Sequence, residues 1–198
     1  MTEAHNHEAF RLYKANAPIA GEQCFTDYLN ESLGQGKELS GPWAAKAVEL
    51  QQLILQSTLQ EDTRLYRATI DAFVGRYING QEFVYPAFMS SADDETSIHR
   101  HFSTPFTKGP TALLRIQCPA GTPALFMESD PSFGGHEREF LLPMNSRFNV
   151  IGVDEITDKV HMATLMSPFY ARDFPSLKIY ELRYRVDGIP GLPNVMAT

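Results

Sequence analysis

The spacing of apolar residues divides the chain into a helical first part and a strand-rich remainder. In "GEQCFTDYLNESL", Cys24, Phe25, Tyr28, Leu29 and Leu33 fall at helical spacing, and Gly34 and Gly36 follow as a stop. "SGPWAAKAVELQQLILQSTL" predicts a second helix. Ser40 stands where a cap belongs, Pro42 lies near the first turn, and Trp43, Val48, Leu50, Leu53, Ile54 and Leu59 make a broad apolar stripe. The first twenty residues are polar and carry Pro18, which predicts a loosely ordered lead-in. From residue 63 onward the period shortens to that of strands broken by Gly and Pro: "TRLYRATI", "EFVYPAFMS", "TALLRIQC", "PALFM", "REFLLP", "RFNVIGV" and "SLKIYELRYRV". Helices first and strands after predict an α+β domain with packed antiparallel sheets. With no repeat, low-complexity stretch or linker, residues 1–198 read as one domain: a lead-in over 1–20, a helical part over 21–62 and a β core over 63–190.

Composition narrows the class of partner. At 43% hydrophobic residues, 198 residues can bury a sizeable core. No apolar run reaches the roughly 18–20 residues of a membrane span, and "MTEAHNHEAF" lacks the basic-then-apolar pattern of a secretory signal, so a cytoplasmic protein as made is expected. Cys24 and Cys118 are far apart and form no CxxC pair, which predicts two buried thiols. A net charge of -7 offers no general attraction to phosphate backbones, so a protein or small-molecule partner is favoured over nucleic acid.

Several familiar sites lack their parts. "GQGKELS" places Glu38 after its lysine, where a phosphate-cradling loop needs Ser or Thr. No GxGxxG follows a strand, and no GxSxG supplies a nucleophile elbow. "HNH" at 5–7 and "HRH" at 99–101 have no second ligand group nearby, so they read as surface or helix histidines and no metal is expected. What remains is acidic. "GGHEREFLLP" sets Glu137 and Glu139 on either side of Arg138 at the start of a strand-like run. An extended segment would point both glutamates to one face, a mildly unfavourable arrangement unless something cationic comes between them.

Three separated elements complete a pattern: Arg67 in "LYRA", Ser90 and Ser91 in "FMSS", and the glutamates in "EREFLLP". In this order they resemble the arginine-specific mono-ADP-ribosyltransferases, the cholera-toxin-like group known by Arg, then Ser-Thr-Ser, then Glu-x-Glu. The resemblance runs from about residue 22 to 186. "FTDYLNESL" looks like the family's N-terminal helix, "ALLRIQCPAGTPALFM" like its strand, Pro-Gly turn and strand, and "EREFLLPMNSRFNVIGVDEI" like its last motif and the strand beyond. It implies N-terminal helices packed on two perpendicular, mostly antiparallel sheets, with NAD in the cleft between them.

The same resemblance implies roles. Arg67 would hold the NAD phosphates through its planar fork of donors, and the backbone of Ala68 would meet the nicotinamide amide. Ser90 would brace Glu139 and the nicotinamide ribose. Ser91 offers the middle hydroxyl, but Ala92 stands where the family usually has the final serine of Ser-Thr-Ser, so the third hydroxyl is missing. Glu139 would stabilise the positive charge that develops on the sugar as its bond to nicotinamide breaks. Glu137 would orient an acceptor arginine and take its proton, since glutamate here goes with arginine as acceptor in the family. Phe102 and Phe106 are candidates to stack on nicotinamide. Phe133, in the Gly-rich turn "ESDPSFGGH", is the candidate for touching the target protein or, equally, a buried loop anchor. Arg138 reads as a structural or surface ion pair.

The expected activity is thus transfer of ADP-ribose from NAD to an arginine of a target protein, as a bacterial or phage toxin or effector. Such a protein can be delivered into another cell without a cleavable signal, and a neutralising immunity or antitoxin protein is a further partner class. A nucleic-acid acceptor, an NAD glycohydrolase using water, and an inactive binding module with the same fold are the alternatives. Fold alone does not choose among them.

Overall fold

The computed structural model describes residues 8–15, 24–98, 111–128 and 138–188. Three helices come first: α1 (Glu8–Ala15), α2 (Phe25–Gly34) and α3 (Gly41–Leu55). α1 falls inside the expected lead-in and corrects it. Ala9, Phe10 and Tyr13 share one face of this short helix and are buried against α2 and α3. Tertiary packing stabilises a helix too short to form alone, and polar neighbours had hidden its stripe. Ser40 does occupy the N-cap of α3, but its side chain makes no capping bond. Its backbone is held instead by the Tyr28 hydroxyl, 3.0 Å from both the N and the O of Ser40.

Among the described residues nine strands follow: β1 (Thr63–Ile70), β2 (Ile78–Asn79), β3 (Glu82–Tyr85), β4 (Met89–Ala92), β5 (Thr111–Cys118), β6 (Leu125–Phe126), β7 (Glu139–Leu142), β8 (Ser146–Ile156) and β9 (Leu177–Tyr184). A one-turn helix, α4 (Asp71–Gly75), follows β1, and α5 (Lys159–Leu165) and α6 (Pro168–Asp173) precede β9. The α+β expectation holds. The strands run β2-β3-β8-β9-β5-β1-β4-β7-β6, and among the described pairs only β5 and β9 are parallel. The two expected sheets are joined rather than separate. β1 pairs with β5 along its whole length, whereas its pairing to β4 is the single register Tyr66↔Ala92. That narrow junction divides the ladder into a large part and a small part, β4-β7-β6.

At β5 both faces of the sheet are covered, which is why this strand reads as a nearly continuous apolar run. On β5, Leu114 and Ile116 face a core with Leu65, Phe83, Phe148 and Leu182, while Leu113 faces the α5–α6 pair with Met162, Leu177 and Ile179. The small part is roofed by α1–α3 through Phe10, Leu50, Ile54, Phe88, Leu141 and Met144. Fully buried Gln51 on α3 accepts a hydrogen bond from the Met144 backbone N at 3.0 Å, tying the helical layer to the β7–β8 turn. After β5 the chain reverses through Pro119–Thr122, where Thr122 N donates to Pro119 O and Gly121 takes φ +85°, a value that this turn demands of glycine. Cys24 and Cys118 are both buried thiols outside any disulfide, and burial pushes Cys118 up to about 12.

Phe148 stacks on Phe83 at 5.6 Å and is fully buried at the middle of the larger core. Phe148→Ala is expected to lower the unfolding free energy by about 3–5 kcal/mol, read from the urea midpoint at constant slope.

Candidate functional site

Three strands and one helix bring the site together at the narrow junction. Pairing of β4 with β7 sets Ala92 opposite Glu139 and Ser90 opposite Leu141. Ser90 and Ala92 share a face by strand alternation, so Ser90 is the diagonal neighbour of Glu139 and its hydroxyl reaches the carboxylate. Ser90 Oγ donates to Glu139 Oε1 at 2.6 Å. Arg67, on β1, donates from one Nη to the Ser90 carbonyl at 2.6 Å and from the other to the Tyr85 hydroxyl at 3.3 Å. Its guanidinium also lies 5.6 Å from the centre of the Tyr85 ring, within cation–π range. The Nε of Arg67 is buried and has no hydrogen-bond partner among the described residues.

The helical layer adds the group that sequence reasoning missed. Lys14, at the end of α1, sets its ammonium 2.5 Å from Glu139 Oε2, and both side chains are only 12% exposed. The buried carboxylate is therefore held at both oxygens, by a hydroxyl and by a cation. Ala92, directly across the ladder, can donate nothing, and the second donor comes from α1. Tyr13, the residue before Lys14, is buried with its ring edge-on to Phe88 at 5.9 Å. Its backbone O accepts a hydrogen bond from Thr26 Oγ1 at 3.1 Å. Burial first and the Glu139 charge second raise the Tyr13 pKa, while Arg67 acts the other way, so the phenol stays neutral beside the carboxylate.

Beside Arg67 lies a cavity of about 220 Å³, lined by Asn30 and Gly34 of α2, Arg67 and Ala68 of β1, and Phe73, Tyr85 and Ala87 among others. It has room for part of a dinucleotide rather than the whole. Ala68 is in this wall. Because β1 meets β4 only at Tyr66, the β4-side edge of β1 at Ala68 carries no ladder among the described residues. Ser91 is not brought to the pair. It alternates away from Ser90, and its buried hydroxyl has no partner among the described residues.

β7 begins at Glu139, and Arg138 just before it adopts φ +50°. The extended alternation expected across residues 137–139 therefore breaks at Arg138. Arg138 forks onto Asp93, with Nε donating to Oδ1 at 2.5 Å and an Nη to Oδ2 at 2.7 Å, and its carbonyl accepts from Asp93 N at 3.3 Å. This clamp across the β4 and β7 ends offsets the cost of the left-handed backbone and fixes where Glu139 starts. Arg138 is thus the structural ion pair expected. Glu137, Phe102, Phe106 and Phe133 lie outside the described residues. Lys14 and Tyr13 had no motif to mark them, and Tyr85 and Asn30 looked like ordinary amphipathic positions in "EFVYP" and "FTDYLN".

No protein-family model and no curated protein sequence matches the chain. Solved structures do resemble it. Plx2a, an ADP-ribosyltransferase toxin from Paenibacillus larvae, superposes with TM-score 0.58 at 15% identity, over 89% of this chain and 84% of that one. The C3 exoenzyme of Clostridium limosum gives 0.57 at 14% identity, over 93% and 86%. The ADP-ribosyltransferase HopU1 of Pseudomonas syringae gives 0.55 at 16% identity, over 89% and 75%. The chain has the fold of these bacterial ADP-ribosyltransferases.

The Lys14–Glu139 ion pair couples the two residues energetically. Lys14→Ala and Glu139→Ala should each destabilise by about 3–5 kcal/mol, because each strands a buried charge. The double variant should lose less than the sum by roughly 1–3 kcal/mol in a urea-unfolding cycle, and simple additivity would show that the pair does not persist in solution.

Proposed function

We propose that this chain transfers ADP-ribose from NAD to an arginine side chain of a target protein, releasing nicotinamide, and that it acts as a toxin or effector. The observation that carries the reading is the chain of hydrogen bonds from Arg67 through Ser90 to Glu139, which joins three separate sequence motifs within one site. The fold shared with bacterial ADP-ribosyltransferase toxins supports it.

NAD is the substrate, and each residue meets a different part of its chemistry. The planar Arg67 fork suits phosphate oxygens. The unladdered edge at Ala68 suits a carboxamide that needs a backbone donor and acceptor. As the bond from ribose C1′ to the nicotinamide nitrogen breaks, its electron pair leaves with nicotinamide and positive charge develops on the sugar. Glu139, oriented by Ser90, stabilises that charge through the 2′-hydroxyl in a site where solvent is largely excluded. An acceptor guanidinium nitrogen then attacks C1′, and Glu137, two residues before Glu139, takes the proton it gives up. No residue in this scheme requires a metal.

The test follows adenine-labelled NAD incubated with the protein and with bacterial and eukaryotic lysates. Label on discrete protein bands that neutral hydroxylamine removes is the expected result. Label only in free ADP-ribose would make the chain a glycohydrolase, and label in nucleic acid would move the acceptor to a base. No label and no nicotinamide release would leave an inactive binding module. Glu139→Gln should lower both NAD cleavage and transfer by at least about 100-fold, because the amide keeps the shape and loses the charge. Glu137→Gln should retain NAD hydrolysis while losing transfer to arginine. Equal loss of both in that variant would count against the division of labour.

A further inference from the structure

Lys14 stands in an awkward place for a site that must generate a cation. Ser90 engages Oε1 of Glu139, which leaves Oε2 as the oxygen available to a ribose hydroxyl, and the Lys14 ammonium covers it at 2.5 Å. An ammonium kept there would offset the carboxylate's charge and repel the positive charge developing on the sugar. The backbone of Lys14 cannot easily withdraw. Phe10 is fully buried, Tyr13 is wedged against Phe88, the Tyr13 carbonyl is held by Thr26, and Glu8 pairs with Lys46 of α3 at 2.6 Å. The side chain alone can swing, on four methylenes that carry a compact charge.

On the basis of the proposed use of NAD, we propose that Lys14 is a positioning residue that trades partners: its ammonium moves from Glu139 Oε2 to the substrate diphosphate as the dinucleotide enters. No covalent bond changes; one ion pair is exchanged for another. The diphosphate brings the negative charge needed to draw the ammonium away, and its arrival frees the carboxylate oxygen for the ribose. Arg67 and Lys14 both adjoin the Ser90–Glu139 pair, so one entering diphosphate can meet both cations. The device also sets specificity. A nicotinamide nucleoside without phosphates has nothing to offer Lys14 in return, and it must compete with the ammonium for Oε2.

The exchange makes a prediction that a merely structural lysine does not. Binding is measured by fluorescence titration with NADH, which keeps the diphosphate and is not cleaved, and with dihydronicotinamide riboside, the same ring and ribose without phosphates. Lys14→Met should bind NADH about 10-fold more weakly than wild type, the loss of one charge-assisted phosphate contact. The same variant should bind the riboside at least as tightly as wild type, because nothing then has to be displaced. Lys14→Arg, which keeps the charge, should retain the wild-type preference for NADH, and circular dichroism of both variants checks that the fold is kept. If Lys14→Met shifts both ligands in the same direction, or neither, the exchange is wrong. If wild type binds no NADH and releases no nicotinamide from NAD, the proposed function itself fails, a result distinct from failure of the exchange.

Discussion

A carboxylate buried to 9% exposure must have both oxygens satisfied, and that requirement organises the structure around Glu139. One oxygen is met from within the sheet, where the β4–β7 register puts Ser90 diagonally opposite. The other is met from the helical layer, which explains why a helix of eight residues is packed tightly onto α2 and α3. The Arg138–Asp93 clamp then fixes the point at which β7 begins, so that Glu139 and not a neighbour faces Ser90. Each of these devices is local, but they answer one demand. A charged group is held in a place where water cannot solvate it fully.

The β core was legible because its strands alternate or run apolar in the ways that burial on one or two faces produces. "TRLYRATI" and "TALLRIQC" became β1 and β5 with the boundaries read from them. Arg67, Ser90 and Glu139 were legible as a set, since their ordered motifs carry more information than any one of them. α1 was not legible. Its buried face is only Ala9, Phe10 and Tyr13, too few to outweigh the polar residues around them, and its stability comes from contacts distant in sequence. Lys14 was hidden for the same reason, because 125 positions separate it from Glu139. α5 and α6 were missed because each spans about two turns or fewer and buries only one or two residues.

The missing third hydroxyl of the serine motif also finds a physical setting. Ala92 is 5% exposed, belongs to the apolar cluster of Leu113, Ile98 and Ile179, and stands opposite Glu139 on the ladder. The donor that a hydroxyl there might have given Glu139 across the ladder is supplied by α1. The departure from the motif and the unexpected lysine are thereby two sides of one local solution.

The narrow junction of the sheet gives Arg67 a second occupation. β1 and β4 share one registered pair, and the bond from Arg67 to the Ser90 carbonyl is a further tie across the same seam. The guanidinium therefore works as a staple between two halves that the ladder alone joins at a single register. A ligand that pulled the fork toward itself would loosen the seam at the moment of binding. On the proposed use of NAD, natural variation at that position would have to satisfy an architectural demand and a chemical one together.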